Sequence, residues 1–170
     1  MIDDRALMAD EEIDLLKKTI GKDKVIIEIG CYIGNTTRVI AKDNLVIAID
    51  PFISGYDPKD PSTQDMKGVE EKFRSNIEDK NVIWLKEKSE EALKNWSMMV
   101  DGVFIDGKHS TEALTEDTKW IRYVKKNGII AFHDYGCWQW PGVTKIIDKN
   151  IIPKHEEIGR ERFLIIFRKQ

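Results

Sequence analysis

The sequence lacks the features that mark secreted, membrane-spanning and metal-ribbon proteins. Its 170 residues contain two cysteines, Cys31 and Cys137, and neither has a CxxC partner, so neither a zinc ribbon nor a redox motif is indicated. A reduced, cytoplasmic setting fits this cysteine usage best. No apolar run approaches the roughly 20 residues that a membrane span requires. The N-terminus, MIDDRALMADEE, lacks a basic start followed by an apolar segment, so we expect no signal peptide.

The net charge and the composition exclude further classes of protein. A formal net charge of -3 argues against a protein that binds nucleic acid through a basic face. Charged residues make up 34% of the chain and hydrophobic residues 41%, which is typical of a globular protein and not of a disordered one. The length suits one domain with a full core and is too short for two ordinary ones. We therefore expect a single domain over residues 1–170.

Short apolar runs rich in Val and Ile recur along the chain without polar alternation, which is typical of parallel strands buried on both faces. They occupy 25–29, 45–49, 82–85, 103–105, 129–132 and 163–167, and a segment near 155–159 could pair with the last of them. Segments with helical spacing lie at about 10–20, 34–42, 66–79, 89–96, 111–126 and 142–150. Strands that alternate with helices predict a βαβ architecture.

One long stretch, residues 51–66, has neither helical nor strand periodicity. It reads PFISGYDPKDPSTQDM and holds three of the five prolines. Loops of this size inside a compact domain are often functional, so we predict a lid that orders over a ligand.

A glycine-rich turn follows the first predicted strand in the segment EIGCYIGNTT. A P-loop is excluded because no Gly-Lys-Ser/Thr follows, and an NAD fingerprint is excluded because its glycines would fall on Tyr32 and Asn35. What remains is E-x-G-x-x-x-G, in which Gly30 would permit a tight turn and Gly34 would let the next helix start close to a ligand. Asp50 ends the second strand, where a carboxylate can accept hydrogen bonds from both hydroxyls of a ribose. The alternative is that Gly30 and Gly34 are ordinary turn and packing glycines and that Asp50 is only a turn residue before Pro51.

Acidic and imidazole side chains also follow the fourth and fifth predicted strands, in FIDGKHS and IIAFHD. If these strands are neighbours in the sheet, Asp106, His133 and Asp134 converge and could hold one divalent cation. Carboxylates favour Mg²⁺, and His133 as a third ligand would favour Mn²⁺. His109 would then act as the general base for an acceptor hydroxyl. The alternative is that Asp106 and Asp134 cap turns and that His109 merely begins a helix.

The chain resembles the class I S-adenosylmethionine-dependent methyltransferases. EIGCYIGNTT, VFIDGKHSTEALTEDTKWI and NGIIAFHDYG followed by PGV are similar to a subgroup of small methyltransferase-like proteins related to the macrocin and cephalosporin-biosynthesis enzymes. The resemblance covers about residues 25–150. It departs from the family at one place, since the middle glycine of the motif is Tyr32 here.

This resemblance implies a Rossmann-like three-layer α/β sandwich with a mostly parallel seven-stranded sheet whose last strand is antiparallel. It places Glu28, Gly30 and Gly34 beside the methionine part of the cofactor, Asp50 on its ribose, and Lys88 and Ser89 near its adenine. The expected cofactor-binding set is completed by Cys31, Tyr32, Pro51 and Asp106. Similar metal and base roles in the macrocin-type relatives support the assignment of Asp106, His133, Asp134 and His109.

The implied activity is methyl transfer from S-adenosylmethionine to a small-molecule acceptor, most simply a hydroxyl oxygen, with assistance from a divalent cation. Two alternatives stay open: a cephalosporin-hydroxylase-like enzyme of the same fold, and a non-catalytic cofactor-binding module. The expected partner is a small-molecule substrate, without nucleic acid or membrane. The core fold leaves few residues for a substrate pocket, so a second copy in a homo-oligomer could complete it.

Overall fold

The computed structural model describes residues 8–170. The first seven residues begin the N-terminal segment in which we expect no signal peptide, and they lie outside the described residues. The strands are β1 Val25–Ile29, β2 Leu45–Ile49, β3 Val82–Leu85, β4 Val100–Ile105, β5 Val124–Phe132, β6 Glu156–Glu161 and β7 Leu164–Arg168. The α-helices are α1 Asp10–Ile20, α2 Asn35–Ile40, α3 Val69–Ile77, α4 Ser89–Lys94, α5 Thr111–Asp117 and α6 Pro141–Asn150. Among these elements no helix is long and apolar enough to cross a membrane.

The seven strands form one sheet in the order β3-β2-β1-β4-β5-β7-β6. The first five strands are mutually parallel, and β7 runs antiparallel to both β5 and β6. The predicted α/β fold with a mostly parallel seven-stranded sheet and an antiparallel last strand is confirmed. The pairing of the segment near 155–159 with the last strand is confirmed as well, since β6 contains it.

Helices cover both faces of the sheet, because residues of β1, β2, β3 and β7 point alternately to the two sides and are almost all apolar. One face packs residues of α4, α5 and α6, among them Leu93, Leu114 and Ile147. The other face packs residues of α1, α2 and α3, with Leu16 and Phe73 buried there. The result is the three-layer sandwich that the sequence predicts.

The helix predicted over 111–126 is shorter than expected. It ends at Asp117, continues as a 3₁₀ helix to Tyr123, and gives way to β5 at Val124. Val124 pairs with Val100 of β4 and is fully buried. It is therefore a strand residue, although the helical spacing predicted that it belongs to the helix. Asn127, directly after the predicted end of the helix, lies within β5 in the left-handed region at φ 63°.

The strand order brings the carboxyl ends of β2, β1, β4 and β5 together at one edge of the sheet. Backbone bonds continue just past the strand ends: Asp106 N–H donates to Ile29 O at 2.9 Å, and His133 N–H donates to Ile105 O at 3.1 Å. These bonds hold the predicted site residues level with one another. The confirmed β4–β5 adjacency is the condition on which the predicted metal site depends.

Candidate active site

A cavity of about 290 Å³ opens at this edge of the sheet. Its walls come from the residues that follow β1, β2, β4 and β5, and from the loop 51–66. Eleven of the predicted site residues line it: Glu28, Gly30, Cys31, Tyr32, Asp50, Pro51, Ser89, Asp106, His109, His133 and Asp134. Gly34 and Lys88 do not line it. The tertiary structure therefore gathers most of the predicted set around one space.

The glycine turn after β1 is shaped by close approach. Gly30 has φ 85°, and a Cβ on it would lie 2.1 Å from the carbonyl oxygen of Asp106, so no side chain fits there. Gly34 has φ 78° and caps the start of α2, where a Cβ would lie 2.9 Å from the ring of Phe73. Its role is thus to pack α2 against α3. Tyr32, which replaces the family's middle glycine, also has a positive φ of 47°.

Asp50 organises this turn from the end of β2. Its Oδ2 accepts hydrogen bonds from the backbone amides of Cys31 at 2.9 Å and Tyr32 at 3.0 Å, and its Oδ1 accepts one from Phe52 at 2.8 Å. Burial raises the pKa of Asp50, and the three amide bonds oppose that shift without cancelling it. The carboxylate lies on the cavity wall, but much of its acceptor capacity is used by the protein itself.

Glu28 is the most unusual group of the cavity. Its side chain is 1% exposed, and its Oε2 has no hydrogen-bond partner. Burial raises its pKa to about 8, with further contributions from the negative charges of Asp106 and Asp50. A buried carboxyl oxygen without a partner on a cavity wall is suited to receive a cationic or hydrogen-bond-donating ligand group.

Asp106, His133 and Asp134 form the cluster that the sequence predicts. One ligand atom from each residue lies within 4.8 Å of those of the other two. His133 Nδ1 is 3.3 Å from Asp106 Oδ1 and 3.5 Å from Asp134 Oδ2. Asp134 adopts the left-handed region at φ 61°, a conformation that asparagine and aspartate tolerate better than most residues. This set of two carboxylates and one imidazole suits a divalent cation.

The charges of this cluster are strongly coupled. Burial lowers the pKa of His133, but the charge and hydrogen bond of Asp106, with support from Asp134, raise it to about 12. Burial raises the pKa of Asp106, and His133 opposes that shift only in part. Burial likewise acts to raise the pKa of Asp134, but hydrogen bonds from His109 and His133 hold it well below its usual value.

His109 is held on three sides. Its Nε2 lies 2.8 Å from Asp134 Oδ2, and its Nδ1 lies 3.0 Å from Asp57 Oδ2, which also accepts the His109 backbone amide at 2.9 Å. The ring of Trp140 stacks on the imidazole with centroids 4.1 Å apart. Burial by itself lowers the pKa of His109, but the hydrogen bond and charge of Asp134 and the charge of Asp106 raise it to about 9.

Ser89 and Asp117 also line the cavity. Ser89 Oγ accepts the indole N–H of Trp120 at 2.8 Å, and both side chains are buried. Burial raises the pKa of Asp117 to about 7, although a hydrogen bond from Ser89 opposes it. Lys88 does not line the cavity, and its Nζ lies 5.9 Å from the ring centroid of Tyr56, a residue of the loop 51–66.

Sequence patterns missed several residues of this site. Asp57 and Tyr56 belong to a loop without periodicity, and Asp117 falls inside the longer helix predicted over 111–126. Trp138 and Trp140 both follow the fifth predicted strand, and Trp140 lines the cavity. Trp138 is 84% exposed and does not line the cavity. The nearest signal for Asp57 was the loop itself, whose length and prolines mark a functional segment without saying which residue acts.

The sequence matches the protein family described as methyltransferase domain over residues 27–135, most of the chain. The chain belongs to the class I S-adenosylmethionine-dependent methyltransferases. The matched span contains the glycine turn, Asp50, both strand-end acids and His109, so most of the cavity lining lies within the family region.

One relative and two solved structures are similar to this methyltransferase. A protein of Acanthamoeba polyphaga mimivirus described as uncharacterized is 30% identical over 151 residues, which cover 79% of this chain and 65% of the relative. A Streptococcus mutans protein in complex with S-adenosylhomocysteine has a TM-score of 0.70 at 15% identity, with 96% of this chain and all of that chain covered. The calicheamicin methyltransferase CalS11 has a TM-score of 0.68 at 16% identity, with 93% and 77% covered. At these identities the two structures establish the fold.

Proposed function

We propose that this chain, as a single domain of residues 1–170, transfers the methyl group of S-adenosylmethionine to a hydroxyl oxygen of a small molecule. The observation that carries the proposal is the cavity at the carboxyl edge, where the glycine turn, Asp50 and the strand-end cluster meet in a member of a methyltransferase family. The S-adenosylhomocysteine held by the Streptococcus mutans neighbour supports the cofactor. CalS11, described as a TDP-rhamnose 3'-O-methyltransferase, supports a hydroxyl acceptor.

The cavity residues suit the parts of this cofactor. Glu28, with its unpartnered buried Oε2, would face the cationic amine of the methionine part. Asp50 keeps lone pairs beyond its three amide bonds, and these would accept ribose hydroxyls. Ser89 and Asp117 would border the adenine, whereas Lys88 would act on the loop 51–66 through Tyr56. That loop would then order over the bound ligand.

Asp106, His133 and Asp134 would hold a divalent cation, and the imidazole favours Mn²⁺ over Mg²⁺. When bound there, the cation would orient an acceptor hydroxyl and lower its pKa. The acceptor would be a small molecule that reaches the cluster between Trp140 and the loop 51–66, both of which line the cavity. No basic face is needed for such a partner, and a second copy of the chain could cover the remaining open side.

His109 would serve as the general base. Because Asp57 faces Nδ1 and would accept a hydrogen bond from its N–H, Nε2 is the nitrogen left to take a proton from the acceptor hydroxyl. Nε2 faces Asp134, whose charge keeps the imidazole protonated near neutral pH. Base action therefore requires that the negative charge of Asp134 be compensated, which is what a ligand role for Asp134 would accomplish. The hydroxyl oxygen forms a bond to the methyl carbon as the carbon–sulfur bond breaks, and S-adenosylhomocysteine leaves.

A second candidate, the non-catalytic cofactor-binding module, is favoured by one observation. Both imidazoles already pair with the cluster carboxylates, so the charges are compensated within the protein itself. Under this alternative the cavity would bind the cofactor while Asp106, Asp134 and His109 had only structural roles. The hydroxylase-like alternative keeps the fold and replaces the reaction, so it predicts no transfer of a labelled methyl group.

The test combines binding and transfer. Calorimetry with S-adenosylhomocysteine should show binding, with NADH as the negative control. Transfer of a labelled methyl group from S-adenosylmethionine to a panel of hydroxyl-bearing small molecules should occur and should be abolished by EDTA. His109→Ala should keep cofactor affinity and lose roughly 10² to 10⁴ in rate, while Asp79→Asn, an exposed acid, should be unchanged. Binding of NADH without S-adenosylhomocysteine would overturn the cofactor, and full activity after chelation would overturn the metal.

A further inference from the structure

Glu12, in the first turn of α1, is a buried carboxylate outside the cavity. Its side chain is 2% exposed. Its Oε2 accepts the backbone amide of Ala9 at 2.7 Å, and its Oε1 accepts the backbone amide of Phe163 at 2.9 Å. The carboxylate therefore joins the start of α1 to the turn between β6 and β7. The bond to Ala9 is that of a helix-capping glutamate, and the two amides stabilise the ionised carboxylate at the start of α1.

The third neighbour of Glu12 is His133. Glu12 Oε1 lies 3.4 Å from His133 Nε2, and His133 is the only basic side chain within ion-pair distance of Glu12 among residues 8–170. Burial would raise the pKa of Glu12, but the nearby His133 and the hydrogen bonds from the two amides lower it. A carboxylate accepts at about four lone-pair sites, so the two amides leave capacity for an imidazole N–H.

The two nitrogens of His133 face opposite sides. Nδ1 faces Asp106 at 3.3 Å and Asp134 at 3.5 Å, on the side of the cavity. Nε2 lies 3.4 Å from Glu12 Oε1 and is buried without a hydrogen-bond partner. An imidazole that binds a cation through Nδ1 must carry its proton on Nε2. The carboxylate of Glu12 lies within ion-pair distance of that nitrogen, at 3.4 Å.

We propose that Glu12 is a positioning residue that holds His133 in the Nε2–H tautomer and so presents Nδ1 to a divalent cation bound by Asp106 and Asp134. This inference rests on the proposed metal site. A carboxylate behind a ligating histidine orients the ring and raises the basicity of the ligating nitrogen. The N-terminal helix thereby becomes part of the metal site although it supplies no ligand to it.

The test measures Mn²⁺ affinity by electron paramagnetic resonance in the full chain. Glu12→Gln should bind Mn²⁺ about 10- to 100-fold more weakly than the wild type. Glu11→Gln, an exposed acid in the same helical turn, should match the wild type. Ala9→Pro removes one amide that Glu12 accepts while its φ of -71° suits proline, so it tests the loss of capping alone and should leave Mn²⁺ affinity unchanged.

A second readout follows the ring itself. In the Zn²⁺-loaded wild type, NMR of ¹⁵N-labelled histidine should show His133 protonated on Nε2, and Glu12→Ala at the same Zn²⁺ concentration should show a smaller fraction of His133 in that form. Mn²⁺ binding by the wild type with unchanged affinity in Glu12→Gln would overturn the role of Glu12 alone. Absence of Mn²⁺ binding by the wild type, at the level of Asp106→Ala, would overturn the metal site and this inference with it. Equal weakening by Ala9→Pro and Glu12→Gln would reduce Glu12 to a helix cap.

Discussion

Glu28→Gln tests whether the buried carboxyl of the glycine turn is a proton-linked part of the cofactor site. The pKa of Glu28 rises from 4.5 to about 8 on folding because the side chain is buried. The native state therefore holds this proton more tightly than the unfolded chain does. The free energy of unfolding should fall as pH rises from about 4.5 to about 8 and should then level off, by at most about 5 kcal/mol from this one group.

The pKa of Glu28 also determines whether its carboxyl group is protonated when a ligand binds. At pH 7 a group with a pKa of about 8 is about nine-tenths protonated. A cationic amine placed against Glu28 favours the ionised carboxylate, so binding should release close to one proton. We expect affinity for S-adenosylhomocysteine to rise with pH between about 6 and 8, with the opposite sign to the change in stability.

Calorimetry measures the proton count directly. S-adenosylhomocysteine is titrated into the protein at pH 7 in phosphate and in Tris, and the difference in enthalpy divided by the difference in buffer ionisation enthalpy gives the protons released. Glu28→Gln should remove this release and flatten the dependence of unfolding on pH, whereas Glu71→Gln, an exposed helix acid, should alter neither. An identical proton count in Glu28→Gln and the wild type would refute the link between Glu28 and the ligand.

Three further outcomes follow from the geometry. Asp50→Asn keeps the shape of the side chain but replaces one acceptor of its amide bonds by a donor, so chemical denaturation should show a loss of about 1.5–3 kcal/mol. Its affinity for S-adenosylhomocysteine should also fall by at least about tenfold, and wild-type affinity would argue against a ribose contact. Gly30→Ala should lower the melting temperature clearly, because its Cβ would meet the carbonyl oxygen of Asp106 at 2.1 Å, while Gly55→Ala, with open space around it, isolates the cost of a positive φ. Limited proteolysis of the loop 51–66 should slow in the presence of S-adenosylhomocysteine, and equal cleavage with and without it would count against a lid.

Local sequence patterns predicted the strands of the sheet, the glycine turn and the strand-end residues of the site. Apolar runs without alternation identify strands covered on both faces, and glycines before a helix identify a tight turn. Asp106, His133 and Asp134 follow such strands directly, so once β4 and β5 are neighbours their meeting needs no further information. Periodicity depends on residues close in sequence and can be predicted from one chain, whereas the arrangement of the seven strands was expected from the resemblance to the methyltransferase family.

The tertiary structure alone decided how those residues are supported. Asp57 contacts His109 across 52 positions of sequence, and Phe163 meets Glu12 across 151. Strand pairing also makes α5 shorter than predicted, because Val124 pairs with β4 in the sheet although its spacing in the sequence is helical. Such contacts are made by irregular loops and helix ends, whose conformations follow from packing and hydrogen bonding in three dimensions and leave no periodic trace in the sequence.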